Sequence, residues 1–229
     1  MKVFGRPFLP NGWGTAVATS WFVILSLLGP ATCPAAHSYT NHLNDAQSGE
    51  VPDEFMVLNG HFAVQESGQE KWLELPGTPS DTYVLLFGPT LSPETEGLLT
   101  VHGQFYGQAQ GRRYPAFGLG AYGLGGFRLQ VSPAKRELEL FHGETMVASQ
   151  PYQWRGETWT AMRLEVVRRQ DRWEVRGKAW PRDQPEPDSW PLTHRAEVRL
   201  FSGQASLWGI PYSGLPIRFD NLAVNHADH

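Results

Sequence analysis

The sequence contains a single cysteine, Cys33, among 229 residues. A disulfide needs two cysteines, so none can form within the chain, and a stable domain must rely on its hydrophobic core. The length is sufficient for a sizeable core, and 41% of the residues are hydrophobic and 12% aromatic. This composition is that of a globular protein and excludes a small disulfide-rich module.

A strong excess of charge is also lacking. The formal net charge is −4, the pI is about 6.1, and basic residues occur in scattered pairs such as Arg112-Arg113 and Arg168-Arg169. Nucleic acid is therefore not an expected partner. Cys-x-x-Cys pairs, histidines at helical ligand spacing and Gly-x-Ser-x-Gly elbows are missing too, so zinc and nucleophilic hydrolase sites have no support.

The first 36 residues differ from the rest of the chain. Lys2 and Arg6 precede an apolar run over residues 16–28, which is followed by Gly29-Pro30 and small residues. Thirteen apolar residues fall short of the roughly 20 needed to span a bilayer. We expect residues 1–36 to be a signal peptide, with a membrane anchor as the main alternative, and the mature protein to be secreted or periplasmic with no membrane span.

The remainder of the chain has the period-two alternation of strands. Residues 37–58 are polar and are predicted to be a linker or an N-terminal extension, and a domain is predicted over residues 59–229. A clear strand covers residues 98–106, the clearest strand, loop and strand cover residues 203–224, and residues 159–168 and 173–180 form the longest predicted hairpin. The mature chain lacks the spacing of an amphipathic helix, so an all-β domain is predicted.

The end of the chain predicts a strand with a bulge. Ile217 and Phe219 share one parity, whereas Leu222 and Val224 have the other. A β-bulge at Asp220-Asn221 would change the register in this way.

Two motifs carry a family resemblance. The ending Gly-x-Ala-x-Leu-Trp-Gly … Phe-Asp-Asn-Leu-x-Val spans residues 203–224, and a Lys-x-Trp-Pro … Glu-Pro-x-x-Trp segment spans residues 178–190. Both resemble the concanavalin A-like lectin/glucanase superfamily, which includes laminin-G-like domains and bacterial secreted domains related to the 3-keto-disaccharide hydrolases. The resemblance implies a two-sheet antiparallel jelly-roll sandwich. The strand pattern alone favours a sandwich over a barrel only weakly.

The resemblance leaves catalysis open. Glucanases of this superfamily carry a Glu-x-Asp-x-(x)-Glu strand motif that this sequence lacks. The nearest pair, Glu137 and Glu139, is expected on the polar side of an ordinary half-exposed strand, and Glu94 and Glu96 are expected as solvated loop charges. A glycoside hydrolase or lyase, including a 3-keto-disaccharide hydrolase-like enzyme, therefore remains an alternative.

Polar and aromatic residues predict a carbohydrate-binding face. If the polar sides of three strands coincide, rings and hydrogen-bonding groups surround a glycine-floored groove, to which sugars bind by stacking and hydroxyl pairing. For Trp180 and Trp208, packing at the core or sheet edge is the alternative. The predicted residues are His102, Gln104, Tyr106, Arg128, Gln130, Tyr114 and Tyr122 in the face, with Arg112, Trp180, Trp208 and Tyr212 at its rim.

The resemblance also implies one possible metal. Lectin and laminin-G-like relatives often bind calcium through loop oxygens, which makes Asp220 and Asn221 weak candidates, although an Asp-Asn pair at a bulge more often bonds nearby backbone groups. No other cofactor is expected, and the oligomeric state stays open. The predicted function is binding of a polysaccharide or glycoconjugate, with an envelope protein-interaction module as the second alternative.

Overall fold

The computed structural model describes residues 37–78, 81–95, 97–170 and 172–227. The predicted signal peptide, Cys33 and Glu96 lie outside these residues. The described part contains fifteen strands and no helix, and hence no helix that could span a membrane. The strands are β1 His37–Asn41, β2 Met56–Asn59, β3 Ala63–Ser67, β4 Glu70–Leu75, β5 Tyr83–Leu91, β6 Leu98–Tyr106, β7 Ala116–Ala121, β8 Phe127–Ser132, β9 Glu137–His142, β10 Thr145–Pro151, β11 Trp159–Arg169, β12 Arg172–Pro181, β13 Leu192–Ala196, β14 Gly203–Ile210 and β15 Ile217–Ala227.

The strands form two antiparallel sheets. Sheet A has the order β13-β12-β11-β6-β15-β4-β3, with β1 also paired to β15, and sheet B has the order β10-β9-β8-β7-β14-β5-β2. The closing strands β14 and β15 thus lie inside different sheets. The predicted all-β sandwich is confirmed.

Aromatic side chains join the two sheets in the core. The rings of Phe105 on β6 and Phe117 on β7 stack with centres 5.2 Å apart, and Phe219 on β15 meets Phe105 edge-on at 5.6 Å. All three are fully buried. Burial of each such side chain stabilises the fold by about 1.5–3 kcal/mol. Each strand therefore turns its apolar residues into the core, and the residues that alternate with them face outward.

The predicted bulge in the last strand is confirmed. The pairing of β15 with β6 shifts register between Asp220 and Ala223, and Asn221 adopts a left-handed conformation with φ 51°. Phe219 before the bulge and Leu222 after it both point into the core. The longest predicted hairpin is confirmed as β11 and β12.

The segment 37–58 differs from the expected linker. Strand β1 pairs with β15, and β2 pairs with β5, while Leu43 and Phe55 are buried in the core. The segment reads as polar because both strands lie at sheet edges and carry mostly exposed side chains. Tyr39, Ala46 and Val51 also pack against the core, so the sandwich includes β1 and β2.

Candidate functional site

The structure divides the predicted groove between two sheets. Strand β6 pairs with β11 and β15 in sheet A, whereas β8 pairs with β7 and β9 in sheet B. The expectation that their polar sides coincide is therefore wrong. His102, Gln104, Tyr106 and Trp180 lie on the outer face of sheet A, and Arg128, Gln130 and Trp208 lie on the outer face of sheet B.

The outer face of sheet A carries an alternating row of rings and cations. The guanidinium carbon of Arg218 lies 4.3 Å from the ring centre of Trp72 and 5.2 Å from that of Tyr106. The rings of Tyr106 and Trp159 are 5.7 Å apart, and the guanidinium of Arg182 lies 5.0 Å from the ring of Trp159. We call these five residues the aromatic-cation row.

Strand register produces this row. Arg218 lies opposite Tyr106 in the pairing of β15 with β6, and Tyr106 lies opposite Trp159 in the pairing of β6 with β11. Glu74 fixes the end of the row at Trp72 and Arg218, because its Oε2 accepts hydrogen bonds from Trp72 Nε1 at 3.0 Å and Arg218 Nε at 3.2 Å. Glu74 thus holds the ring of Trp72 and the guanidinium of Arg218 in place.

A cleft of about 130 Å³ opens beside the row, with Trp72, Trp159 and Arg182 among its lining residues. Asp220 and Glu70 also line it. Burial raises the pKa of Asp220 above its ordinary value, while a backbone hydrogen bond from Asn221 and the charges of Arg182 and His42 oppose the shift. The cleft thus combines aromatic walls with hydrogen-bonding carboxylates.

Asp220 and Asn221 direct their oxygens mainly to groups of the bulge. The two Asp220 oxygens accept from the backbone N and Nδ2 of Asn221 at 2.7 and 2.8 Å. Asn221 Nδ2 also donates to Gln104 Oε1 at 3.0 Å, and its Oδ1 lies 2.6 Å from His42 Nδ1. Within the described ranges, no group of three or more His, Cys, Asp or Glu side chains is placed to hold a metal ion.

The loop over residues 182–191 packs on this face against β11 and β12. Glu186 forms ion pairs with Lys178 at 2.7 Å and Arg163 at 3.0 Å, and Lys178 Nζ lies 4.1 Å from the ring centre of Trp190. Residues of the Lys-x-Trp-Pro … Glu-Pro-x-x-Trp motif thus attach the loop to sheet A. We call the contacts among Lys178, Glu186 and Trp190 the clasp.

His102 and Trp180 lie on the same face, near the clasp. Their rings are 6.0 Å apart, and His102 Nδ1 is buried without a hydrogen-bond partner. Burial, and then the charge of Arg163, lower the pKa of His102 to about 4, although Glu186 and a backbone bond oppose them. The clasp therefore leaves Gln104 and Tyr106 as the predicted residues nearest the open cleft.

The outer face of sheet B is built around Arg128. Its guanidinium carbon lies 4.3 Å from the ring centre of Phe141 and 4.2 Å from that of Trp208. Gly118 and Gly120 lie on β7, between β8, which carries Arg128, and β14, which carries Trp208. A Cβ on Gly120 would lie 2.5 Å from the Oγ of Ser206 and 3.4 Å from Nε1 of Trp208, so close packing of these side chains accounts for the glycine.

Beside Arg128 lies a buried carboxylate. Glu139 is fully buried and accepts hydrogen bonds from Ser132 Oγ, from Gln130 Nε2 at 3.3 Å and from Lys135 Nζ at 2.6 Å. The expectation of an ordinary half-exposed position is therefore wrong for Glu139. Glu139 points to the outer face, as its position in the strand predicts, but Ser132, Gln130 and Lys135 cover it.

The remaining predicted residues lie away from both faces. Arg112 and Tyr114 are exposed in the loop between β6 and β7, and Tyr212 is exposed in the loop between β14 and β15. Tyr122 packs in the core against Trp173, with ring centres 5.7 Å apart, and burial raises its pKa to about 12. The structure therefore does not bring these four residues onto either sheet face.

Sequence reasoning missed four members of the aromatic-cation row. Trp72, Trp159 and Arg218 lie on strands β4, β11 and β15, and Arg182 directly follows β12, so alternation within one strand does not show that they meet on one face. For two of them the sequence does contain a signal: Trp72 alternates with the inward Leu73, and Arg218 alternates with the inward Phe219, so both are expected to point outward.

Comparison with known proteins shows the fold. A scan against models of protein families finds no match, and a search of curated proteins finds none at the threshold applied. Among solved structures, lectin II from Ulex europaeus has a TM-score of 0.54 at 9% identity and covers 86% of this chain and 100% of its own.

Two further structures give similar values. The Emp47p carbohydrate recognition domain has a TM-score of 0.51 at 12% identity and covers 83% of this chain and 96% of its own. SO2946 from Shewanella oneidensis MR-1, a protein of unknown function, has a TM-score of 0.52 at 13% identity and covers 83% of this chain and 86% of its own. At such identities the likeness shows a shared two-sheet β-sandwich fold and nothing finer.

Proposed function

We propose, from this concanavalin A-like sandwich and its outer faces, that the protein binds a polysaccharide or glycoconjugate on the aromatic-cation row of sheet A. The observation that carries the proposal is the preformed arrangement of Tyr106 and Trp159 beside a cleft that Arg182 and Asp220 also line. Sugar rings stack on aromatic faces, and their hydroxyls pair with charged and amide side chains.

The named neighbours support the same class of ligand. The Emp47p domain is a carbohydrate recognition domain, and the Ulex europaeus lectin has been crystallised with galactose. Because a fold hosts many functions, the argument for this chain rests on its own side chains.

A glycan-array screen of the protein, with and without calcium, tests the proposal. Bound glycans are then titrated against Trp159→Ala, which we expect to lower the affinity about tenfold through loss of stacking. The matched control is Phe201→Ala, because Phe201 is 69% exposed and lies away from the row. Equal binding by the Trp159 variant would remove the row as the site, and silence on every glycan would favour an envelope protein-interaction module.

Cleavage of a glycosidic bond in the same cleft is a second candidate function. Asp220, with its raised pKa, and Glu70 both line the cleft, and glycosidases use a protonated and an ionised carboxyl group. In this reaction the oxygen of a water molecule would bond to the anomeric carbon as the glycosidic C–O bond breaks, with Asp220 giving its proton to the leaving oxygen and Glu70 taking a proton from the water. Product analysis of each bound glycan tests it, since Asp220→Asn and Glu70→Gln should each abolish turnover.

We also propose that the protein is exported by its first 36 residues, on the basis of their charge and hydropathy. The N-terminus of the protein from the periplasm or the culture medium is determined by mass spectrometry. We expect it to begin near His37, and an intact Met1 in the membrane fraction would contradict export.

A further inference from the structure

Arg128 on the outer face of sheet B is a buried cation without an anion. Its residue is 8% exposed, and its Nε is buried with no hydrogen-bond partner. Among the described residues, its guanidinium packs against the rings of Phe141 and Trp208 and forms no hydrogen bond or ion pair. A buried charge is normally both paired and hydrogen-bonded.

The nearby carboxylates do not supply the missing partner. Glu139 is occupied by Ser132, Gln130 and Lys135, and Glu144 is exposed in the turn between β9 and β10. Both influence Arg128 only through space: burial lowers its pKa, and the charges of Glu144 and Glu139 oppose that shift. Cation-π contacts offset part of the cost of burial and leave the hydrogen-bonding capacity of the guanidinium unused.

The surroundings hold the guanidinium in one orientation. Trp208 Nε1 donates to Ser206 Oγ at 2.9 Å, which fixes one ring. Arg128 lies opposite Phe141 on β9 and opposite Gly120 on β7, and the absence of a side chain at Gly120 lets the guanidinium pack directly against Trp208, 4.2 Å from its ring centre. A planar fork clamped between two rings is suited to bidentate pairing with a carboxylate.

We propose that Arg128 binds the carboxylate of an acidic sugar, a uronic acid residue, on the outer face of sheet B. The partly exposed ring of Phe141 provides apolar surface for the sugar, and Gln130 provides an amide whose Oε1 accepts no hydrogen bond from the described residues. The site lies on the opposite sheet from the aromatic-cation row and does not depend on it.

The test is a calorimetric titration of the protein with glucuronate and galacturonate oligomers and with the corresponding neutral oligomers. We expect the acidic oligomers to bind and Arg128→Met to weaken them about 10- to 100-fold. Arg128→Lys keeps the charge and loses the fork, so its affinity should be intermediate. Phe201→Ala is the control that retains full binding.

Thermal unfolding separates binding from a structural role. Removal of an unpaired buried charge should leave the melting temperature of Arg128→Met unchanged or raised, whereas a purely structural arginine would give a clear decrease. Absence of uronate binding, or equal binding by Arg128→Met, overturns the proposal. Loss of uronate binding in Trp159→Ala alone would place the acid on sheet A, and binding of acidic peptides in place of uronates would overturn the assignment to a sugar.

Discussion

The Oε1 of Glu186 lies 2.7 Å from the Nζ of Lys178, whose side chain is only 6% exposed. This pair is the centre of the clasp, because Lys178 also donates to the carbonyl of Pro187 at 2.7 Å. The loop over residues 182–191 is thereby fixed to the outer face of sheet A, beside the aromatic-cation row.

Loss of this pair should destabilise the protein. We expect Glu186→Gln to lower the free energy of unfolding by about 1–3 kcal/mol, because Lys178 is left buried without its counter-charge and Glu186 itself is partly exposed. Urea denaturation measures the change. The control is Glu197→Gln, which breaks the fully surface-exposed pair with Arg172 and should cost less than about 0.5 kcal/mol; equal effects would show that the clasp adds nothing.

His102 should make stability depend on pH. Its pKa in the folded protein is about 4 against an ordinary value of 6.5, so between these values the unfolded chain binds more protons than the folded one. Its contribution is therefore intact above pH 6.5 and is lost progressively as the pH falls toward 4.

The melting temperature measured across this range tests the assignment. His102→Gln should flatten the acid-side decrease, because no proton is then taken up at this position on unfolding. His61→Gln removes an exposed histidine and should keep the wild-type slope. An unaltered slope in the His102 variant would assign the acid sensitivity to other groups.

Asn221 should tolerate glycine better than alanine. Its φ of 51° lies in the left-handed region, where a Cβ costs about 1–2 kcal/mol unless a short polar side chain compensates. Both variants lose the hydrogen bonds to Gln104 and His42, so their difference isolates the backbone term. We expect Asn221→Ala to unfold at a lower urea concentration than Asn221→Gly, and the reverse order would contradict a strained bulge.

Chelation of calcium should leave the protein unchanged. The Asp220 oxygens already accept two hydrogen bonds from Asn221, and a calcium ion would have to displace them. We expect the same melting temperature and the same glycan affinity in EDTA and in excess calcium. A rise in either with calcium would instead make Asp220 and Asn221 ligands.

Glu139 and Glu137 form a matched pair on one strand. Glu139 is fully buried and hydrogen-bonded by three side chains, whereas Glu137 is partly exposed. We expect Glu139→Gln to cost about 1–3 kcal/mol of unfolding free energy and Glu137→Gln to stay within about 0.5 kcal/mol. Similar values for the two would mean that the network around Glu139 is not stabilising.

The sequence predicts much of the local structure. Alternation of Leu99, Val101 and Phe105 with polar residues defines β6, and the parity change after Phe219 locates the bulge before Leu222. These features depend on neighbours within one strand, which is why a single sequence is sufficient for them.

The candidate sites depend on contacts that alternation cannot reveal. His102 and Arg128 both occupy outward positions, but only the pairing of their strands with distant segments places them on different sheets. In the same way, the outward parity of Glu139 gives no sign that Ser132 and Lys135 cover it. Sheet membership and side-chain cover are long-range properties of the chain.

The pairing of β1 with β15 has a consequence for the rate of folding. It joins the first described strand to the last, so the strand pairing of sheet A is complete only when segments from the two ends of the described chain meet. Closure of so long a loop carries a large entropic cost before any contact offsets it, and proteins dominated by distant pairings fold slowly. We therefore expect this chain to fold more slowly than a sandwich of the same size whose strands pair mainly with their neighbours in sequence.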